Sequence, residues 1–198
     1  MSTTIDLLRQ RRTQYALDKT LPISREATTE LIQQAVEAAP SAFNSQSSRV
    51  VILFGGASDK VWTFAKDALR PLIPADEFAD TQAKLDGFAA GAGTILFFED
   101  QGVIAGLQEQ FAAYADNFPV WSEQSSGMAQ LAVWTALAEA GIGASLQHYN
   151  PLIDAVIAAE WGIPAEWTLR AQMPFGANAA PFGDKAVMPR DARFKVFA

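Results

Sequence analysis

The amino-acid sequence predicts an α+β or three-layer α/β/α sandwich, formed by one domain over residues 1–198. Three observations lead there. Helical and buried-strand patterns alternate, but the strands are few and some connections hold a pair of helices. The stretch from Met128 to Ala140 is a helix apolar almost all round, with only Gln130, Thr135 and Glu139 as polar side chains. A helix of that kind must be buried on every side. No G-x-G-x-x-G follows a strand and no G-x-x-x-x-G-K-[ST] occurs, which argues against a doubly wound dinucleotide fold and a P-loop.

The elements follow in order. Residues 4–14 read as a first helix, with Ile5, Leu7 and Leu8 as apolar anchors and Thr3 or Thr4 as its cap. A second helix starts after Ser24, carries Glu26 in its first turn, and places Leu31, Ile32, Ala35, Val36 and Ala39 on one face. Pro40 ends it. "RVVILFG", residues 49–55, is apolar on both alternations, as in a central strand covered on both faces. Helices are expected over 59–69 and 76–90, separated by Pro71 and Pro74. "GTILFFED" reads as a second buried strand, residues 103–116 as a helix, and "NFPVW" as a break. The apolar helix follows, closed by Gly141 and Gly143. A chain of this size has limited room to encircle a helix, so that helix points to a subunit interface. A short helix over 152–160, a third strand in "EWTLRAQMPFG" and an extended tail from Asp184, able to lie on a partner, complete the chain.

Composition narrows the function. The 198 residues are 49% hydrophobic, enough for a core. Eighteen consecutive apolar residues occur nowhere, so a membrane span is not expected. The opening "MSTTIDLLRQRRTQ" lacks the apolar run of a secretory signal. There is no cysteine, which removes disulfides, thiolate metal sites and a thiol nucleophile, and fits a cytoplasmic location. One histidine cannot make a multi-histidine metal site. A net charge of −7 disfavours nucleic acid and anionic membrane surfaces as partners. Against that background a cationic cluster at Arg9, Arg11 and Arg12 stands out.

Several groups could carry chemistry. Arg11, Arg12 and Thr13 offer forked charged donors and a hydroxyl suited to a phosphate monoester, or else a basic helix end that complements the macrodipole. The loop 41–48 holds Ser41, Asn44, Ser45, Gln46, Ser47 and Ser48, neutral groups that could grip a heterocycle edge or a polyol, or form ordinary Asx and Ser turns. His148 is a structural group or a proton donor. Lys185 is a solvated tail charge or a second phosphate partner. Phe111, Tyr114, Phe118 and Trp121 fill a core or form an aromatic lid over a flat ligand.

Four segments, in order and spacing, resemble the FMN-dependent nitroreductase family across nearly the whole chain. "RRTQYAL" resembles the family's R-R-S-x-R/K opening, and "APSAFNSQ" its P-S-x-x-N-x-Q loop. "GMAQLAVWTALAEAGIGASL" resembles its long buried helix and glycine turn, and "DKAVMP" its tail. The forms "SQSSRVVILFG", "FPVWSEQSSGMAQ" and "GASLQHYNP" are most similar to the subgroup of fatty-acid-repression-mutant-type nitroreductases of yeast and related bacterial proteins. The resemblance implies a nitroreductase-like sandwich with a mixed central sheet and a homodimer whose interface holds the long helix and two FMN sites.

It also implies roles. Arg11, Arg12 and Thr13 would hold the FMN phosphate and ribityl end, with Lys185 closing on the phosphate. Pro40, Ser41 and Asn44 would reach the flavin and ribityl from the other subunit, braced by Gln46. The backbone of Gln147, His148 and Tyr149 would lie on the N5–O4 edge, and Lys84 on the pyrimidine side. Tyr15 stands where many members carry a basic residue facing the flavin, and Val187 where many carry a second tail Arg. Phe111, Tyr114, Phe118 and Trp121 become the pocket for a small aromatic electron acceptor. The implied reaction passes hydride from NADH or NADPH to flavin N5 and then to a nitroaromatic or quinone by a ping-pong route. The protein supplies no essential acid, and His148 is the candidate proton donor. A second reading is a flavin-storing or lipid-sensing protein with little turnover. A third is a structural domain without cofactor.

Overall fold

The computed structural model describes residues 3–197. α1 (Thr4–Gln10) opens with a capping box: the Asp6 amide donates to Thr3 Oγ1 at 3.3 Å and the Thr3 amide donates to the Asp6 carboxylate at 3.2 Å. The expected helix over 4–14 stops at Gln10. Arg11 turns extended (φ −62°, ψ 109°), and Thr13 then forms a parallel bridge with Ala144. The two arginines and Thr13 therefore sit on extended chain beyond the helix, leading to the Gln14 amide, which donates to the Ala144 carbonyl at 2.9 Å.

β1 (Leu17–Asp18) leads into α2 (Arg25–Ala38), whose Ser24 cap accepts from the Ala27 amide at 3.1 Å. A 3₁₀ turn, Ala42–Asn44, precedes β2 (Ser48–Phe54). α3 (Gly56–Leu69), a 3₁₀ turn at Arg70–Leu72 and α4 (Phe78–Ala89) lead to β3 (Gly93–Asp100). α5 (Gln101–Gln110) is capped by Asp100, which accepts from the amides of Gly102 and Val103. The helix expected over 103–116 divides here, because residues 112–117 tighten into a 3₁₀ turn.

"NFPVW" is not a break. Phe118 begins α6 (Phe118–Glu139), and Pro119 sits in its first turn, where a missing N–H costs no intrahelical bond. α6 ends at Gly141, which takes the left-handed φ of +77°. Gly143 lies instead in β4 (Ile142–Ala144), packed so closely that a β-carbon would stand 2.4 Å from Asn178 Oδ1. α7 (Asp154–Trp161), stopped by Gly162 at φ +62°, precedes β5 (Trp167–Asn178). The chain ends in an extended tail with a single helical turn, α8 (Arg190–Arg193).

The sheet order is β1-β5-β3-β2, with β4 also on β5. All of these pairings are antiparallel, and the mixed character expected of the sheet rests on the Thr13–Ala144 bridge. β3 is the buried centre, while β2 lies at the sheet edge and not in the middle. Its two apolar alternations are nonetheless both used: Val50, Ile52 and Phe54 pack on one core and Val51 and Leu53 on the other.

Those cores make three layers. α2 and α6 cover one face through Ile32, Val133 and Leu137 against Ile95, Phe97 and Met173. α3, α4 and α7 cover the other through Trp62, Leu85, Phe88 and Ile157 against Leu96, Phe98 and Leu169. A β-bulge at Arg170 lets Phe97 pair with Ala171 and Phe98 with Leu169. The extra residue shifts the alternation, so Ala171 and Leu169 serve opposite cores. The Arg170 guanidinium pairs with Glu123 of α6 at 2.6 Å.

α6 is not encircled within one chain. It buries the stripe Phe118, Ser122, Ser126, Ala129, Val133 and Leu137 and leaves Met128 and Leu131 exposed. Among the described residues, no helix is long and apolar enough to cross a membrane.

Candidate functional site

Three concave or aromatic regions gather the residues singled out in the sequence. The first is cationic. Arg11, Arg12, Thr13 and Lys185 line one hollow of about 320 Å³, together with Asp184 and Ala186. Arg12 Nη2 donates to the Gly183 carbonyl at 2.6 Å, and Gln14 Nε2 donates to the Ala180 carbonyl at 2.7 Å, so the tail is drawn over Arg11–Thr13. Arg11 stacks 4.3 Å over the Trp134 ring of α6. Burial, and then the neighbouring charge of Arg12, pull the Arg11 pKa below its ordinary value. Trp134 Nε1 is buried and has no hydrogen-bond partner among the described residues. Neither Trp134 nor Asp184 stood out in the sequence, the one lying inside an apolar helix and the other in a polar tail.

The second region is polar, with Glu37 and Arg49 as its charged members. Pro40, Ser41, Asn44 and Gln46 line a cleft of about 240 Å³ with Arg49 and Ser125. The Gln46 amide donates to Ser41 Oγ at 3.0 Å, and the Ala42 amide donates to Ser125 Oγ at 3.2 Å. Phe43, Asn44 and Gln46 have φ of +55°, +51° and +48°. Left-handed backbone is costly for any residue with a β-carbon, and unusual for Phe.

The reason lies in the third region. Phe43 is the hub of the aromatic group, with ring centroids 4.9 Å from Phe111, 6.1 Å from Tyr114, 5.2 Å from Phe118 and 5.8 Å from Trp121. Phe118 is its buried base, while Tyr114 and Phe43 are about half exposed. Sequence reasoning missed Phe43, because no local pattern marks a Phe held in left-handed backbone.

Tyr15, Lys84 and Tyr149 meet elsewhere, around Phe88 and Trp62. The Tyr15 ring lies 6.2 Å from Phe88, Lys84 Nζ 5.9 Å over Phe88, and the Tyr149 ring 6.0 Å from Trp62. Burial, and then Tyr15, raise the Tyr149 phenol pKa above its ordinary value. The 147–149 segment is pinned to β5: the Gln147 amide donates to the Gln172 carbonyl at 2.7 Å and the Tyr149 amide donates to Gln172 Oε1 at 2.7 Å. His148 between them is exposed.

The cationic hollow and the polar cleft share no residue. An apolar groove of about 430 Å³, formed by Leu8, Ala35, Met128, Leu131 and their neighbours, adjoins the cleft and shares Ala39 and Pro40 with it. Among the described residues, no cluster of three acidic or histidine side chains could hold a metal ion.

Known proteins share the sequence and fold of this chain. The model of the nitroreductase family matches residues 8–177. The Saccharomyces cerevisiae protein HBN1 is 38% identical over 193 residues, 96% of each chain, and the yeast nitroreductase FRM2 is 32% identical over 89% of this chain and 88% of its own. The structure of the nitroreductase CinD from Lactococcus lactis in complex with chloramphenicol superimposes with a TM-score of 0.91 at 52% identity, covering 99% of this chain and 100% of that one. CinD has also been solved with 4-nitrophenol and with nicotinic acid.

Proposed function

The chain belongs to the nitroreductase family, and on that premise we propose that it is a cytoplasmic, FMN-dependent NAD(P)H oxidoreductase, a single FMN-binding domain that acts as a homodimer on nitroaromatic or quinone acceptors. The observation that carries this reading is the division of the site into a cationic hollow and a separate cleft rich in uncharged hydrogen-bonding groups, with an apolar groove adjoining the cleft. FMN has the matching division: an anionic phosphate at one end, and an uncharged ribityl chain and ring edge beyond it.

A second copy seated on the groove at Met128 and Leu131 would cover apolar surface that one chain leaves open. It would also set the cleft of one chain against the hollow of the other. The tail supports the same assembly, since Val196 and Phe197 are 90% and 88% exposed.

The residues divide the work. Arg11, Arg12, Thr13 and Lys185, which line the hollow, would hold the FMN phosphate through charged donors and a hydroxyl. The Trp134 ring fixes the Arg11 guanidinium before the phosphate arrives. Pro40, Ser41 and Asn44 would complete the ribityl and ring contacts from the partner subunit, with Gln46 bracing the loop through Ser41. The 147–149 backbone, pinned by Gln172, would face the ring edge, with Tyr15 close to Tyr149 and Lys84 over Phe88. Phe43, Phe111, Tyr114 and Trp121 offer flat faces to an aromatic acceptor, as the complexes of CinD with 4-nitrophenol and chloramphenicol suit. When bound, FMN supplies the hydride and electron transfer between nicotinamide and acceptor in a ping-pong sequence. His148, exposed beside that edge, is placed to exchange protons with solvent.

The test is an anaerobic titration of the purified yellow protein with NADH and with NADPH. Bleaching, then reoxidation by a nitroaromatic, is the expected result. Protein that takes up no FMN overturns the reading, and FMN that binds without bleaching makes the protein a flavin store.

A further inference from the structure

Glu99, at the end of β3, is 0% exposed. Among the described residues, no cation pairs with it. Its carboxylate accepts instead from three serine hydroxyls: Ser47 Oγ at 2.6 Å, Ser48 Oγ at 2.5 Å and Ser122 Oγ at 2.7 Å. Ser47 and Ser48 are the exit of the polar loop, and Ser122 is on α6 beside Trp121. Hydroxyl donation to a carboxylate at these lengths is the strong, charge-assisted kind.

The loop therefore docks on α6 at both ends. Its start is tied by the Ala42 amide donating to Ser125 Oγ at 3.2 Å, and its end by Ser47–Glu99–Ser122. Between the ties stand Phe43, Asn44 and Gln46, all in left-handed backbone. Such a run persists only where the surroundings over-determine it. The next residue, Asp100, helps from the opposite face of β3. It pairs with Arg49 at 3.0 Å, and Arg49 Nη1 donates to the Gln46 carbonyl at 2.6 Å.

A hydrophobic side chain would fill the position of Glu99 at lower desolvation cost. What it would not do is bind three hydroxyls from two separate elements. We infer that Glu99 is a positioning residue, a buried carboxylate clasp that holds the 41–48 loop to α6 and so sets Asn44 and Phe43. Through them it governs flavin affinity and the acceptor cleft, a consequence that rests on the function proposed above.

The test uses Glu99→Gln, which keeps the shape but replaces one acceptor oxygen with a donor, and Ser122→Ala, which cuts only the α6 side. Each purified full-length protein is digested briefly with chymotrypsin, and cleavage after Phe43 is compared with cleavage after Phe194 in the exposed tail. FMN affinity is measured in parallel by fluorescence. Both variants should be cut after Phe43 about tenfold faster than the parent, with the tail rate unchanged and the FMN Kd raised about tenfold. Parental cleavage at Phe43 overturns the proposal, and so does an equal rise at both positions, which is what general destabilisation gives. Should Glu99→Gln fail to fold, Ser122→Ala decides alone. Parent protein that binds no FMN refutes the flavin reading, and the Phe43 cleavage rate still decides the clasp.

Discussion

Arg12 Nη2 donates a 2.6 Å hydrogen bond to the carbonyl of Gly183, joining the segment after α1 to the C-terminal tail. One guanidinium thus both faces the candidate phosphate site and holds Lys185 over it. Arg12→Ala removes both. We expect FMN affinity to fall between about tenfold and a hundredfold, the range of one charged hydrogen bond. Fluorescence titration measures it, and an unchanged Kd would place the phosphate elsewhere.

Phe43 separates strain from stacking. Phe43→Ala and Phe43→Gly both remove the ring from Phe111 and Trp121. Only Ala keeps the penalty of φ +55°, so Phe43→Gly should be the more stable of the two by about 1 kcal/mol in urea unfolding. Both should raise the KM for a nitroaromatic by up to roughly tenfold, the worth of an aromatic pair.

Leu131→Arg places a charge on the open face of α6, where Leu131 is 43% exposed. It should leave the single-chain fold intact, since the buried stripe of α6 lies elsewhere. Sedimentation is expected to show monomers, and FMN should be lost with the dimer. Monomers that keep FMN would show that one chain suffices.

Asp154, in the first turn of α7, has its pKa raised by burial, with Arg170 pulling the other way. A carboxyl raised on folding binds its proton more tightly in the native state. Stability is then lost as pH rises from the unfolded carboxylate pKa through the folded one, and is fully present below both. Asp154→Asn should therefore be the more stable protein at neutral pH. Its advantage should shrink to nothing in acid, as thermal melts across the carboxylate range would show.

The layers and the order of helices and strands were legible because apolar periodicity reports them. The same signal cannot say where a strand sits in its sheet. β2 is apolar on both alternations because Val50 and Val51 serve different cores, yet it is an edge strand. The all-round apolar sequence of α6 pointed beyond its own chain, and the single chain does leave Met128 and Leu131 exposed. The two-residue β1 and three-residue β4 are held by tertiary pairing and have no run long enough to carry a period. At the site, the arginines, the polar loop and the tail lysine were readable as chemistry. Phe43 and Glu99 were not, because their importance lies in a dihedral angle and in three hydroxyls that meet only after folding.

The cationic hollow and the polar cleft have no side chain in common. If each cofactor is gripped by both, two crippled copies can rescue one another. Co-expressing Arg12→Ala chains with Asn44→Ala chains would yield mixed pairs in which one crevice inherits both lesions and its twin inherits neither. Half-stoichiometric yellow colour from two colourless parents would be the genetic signature of that shared architecture.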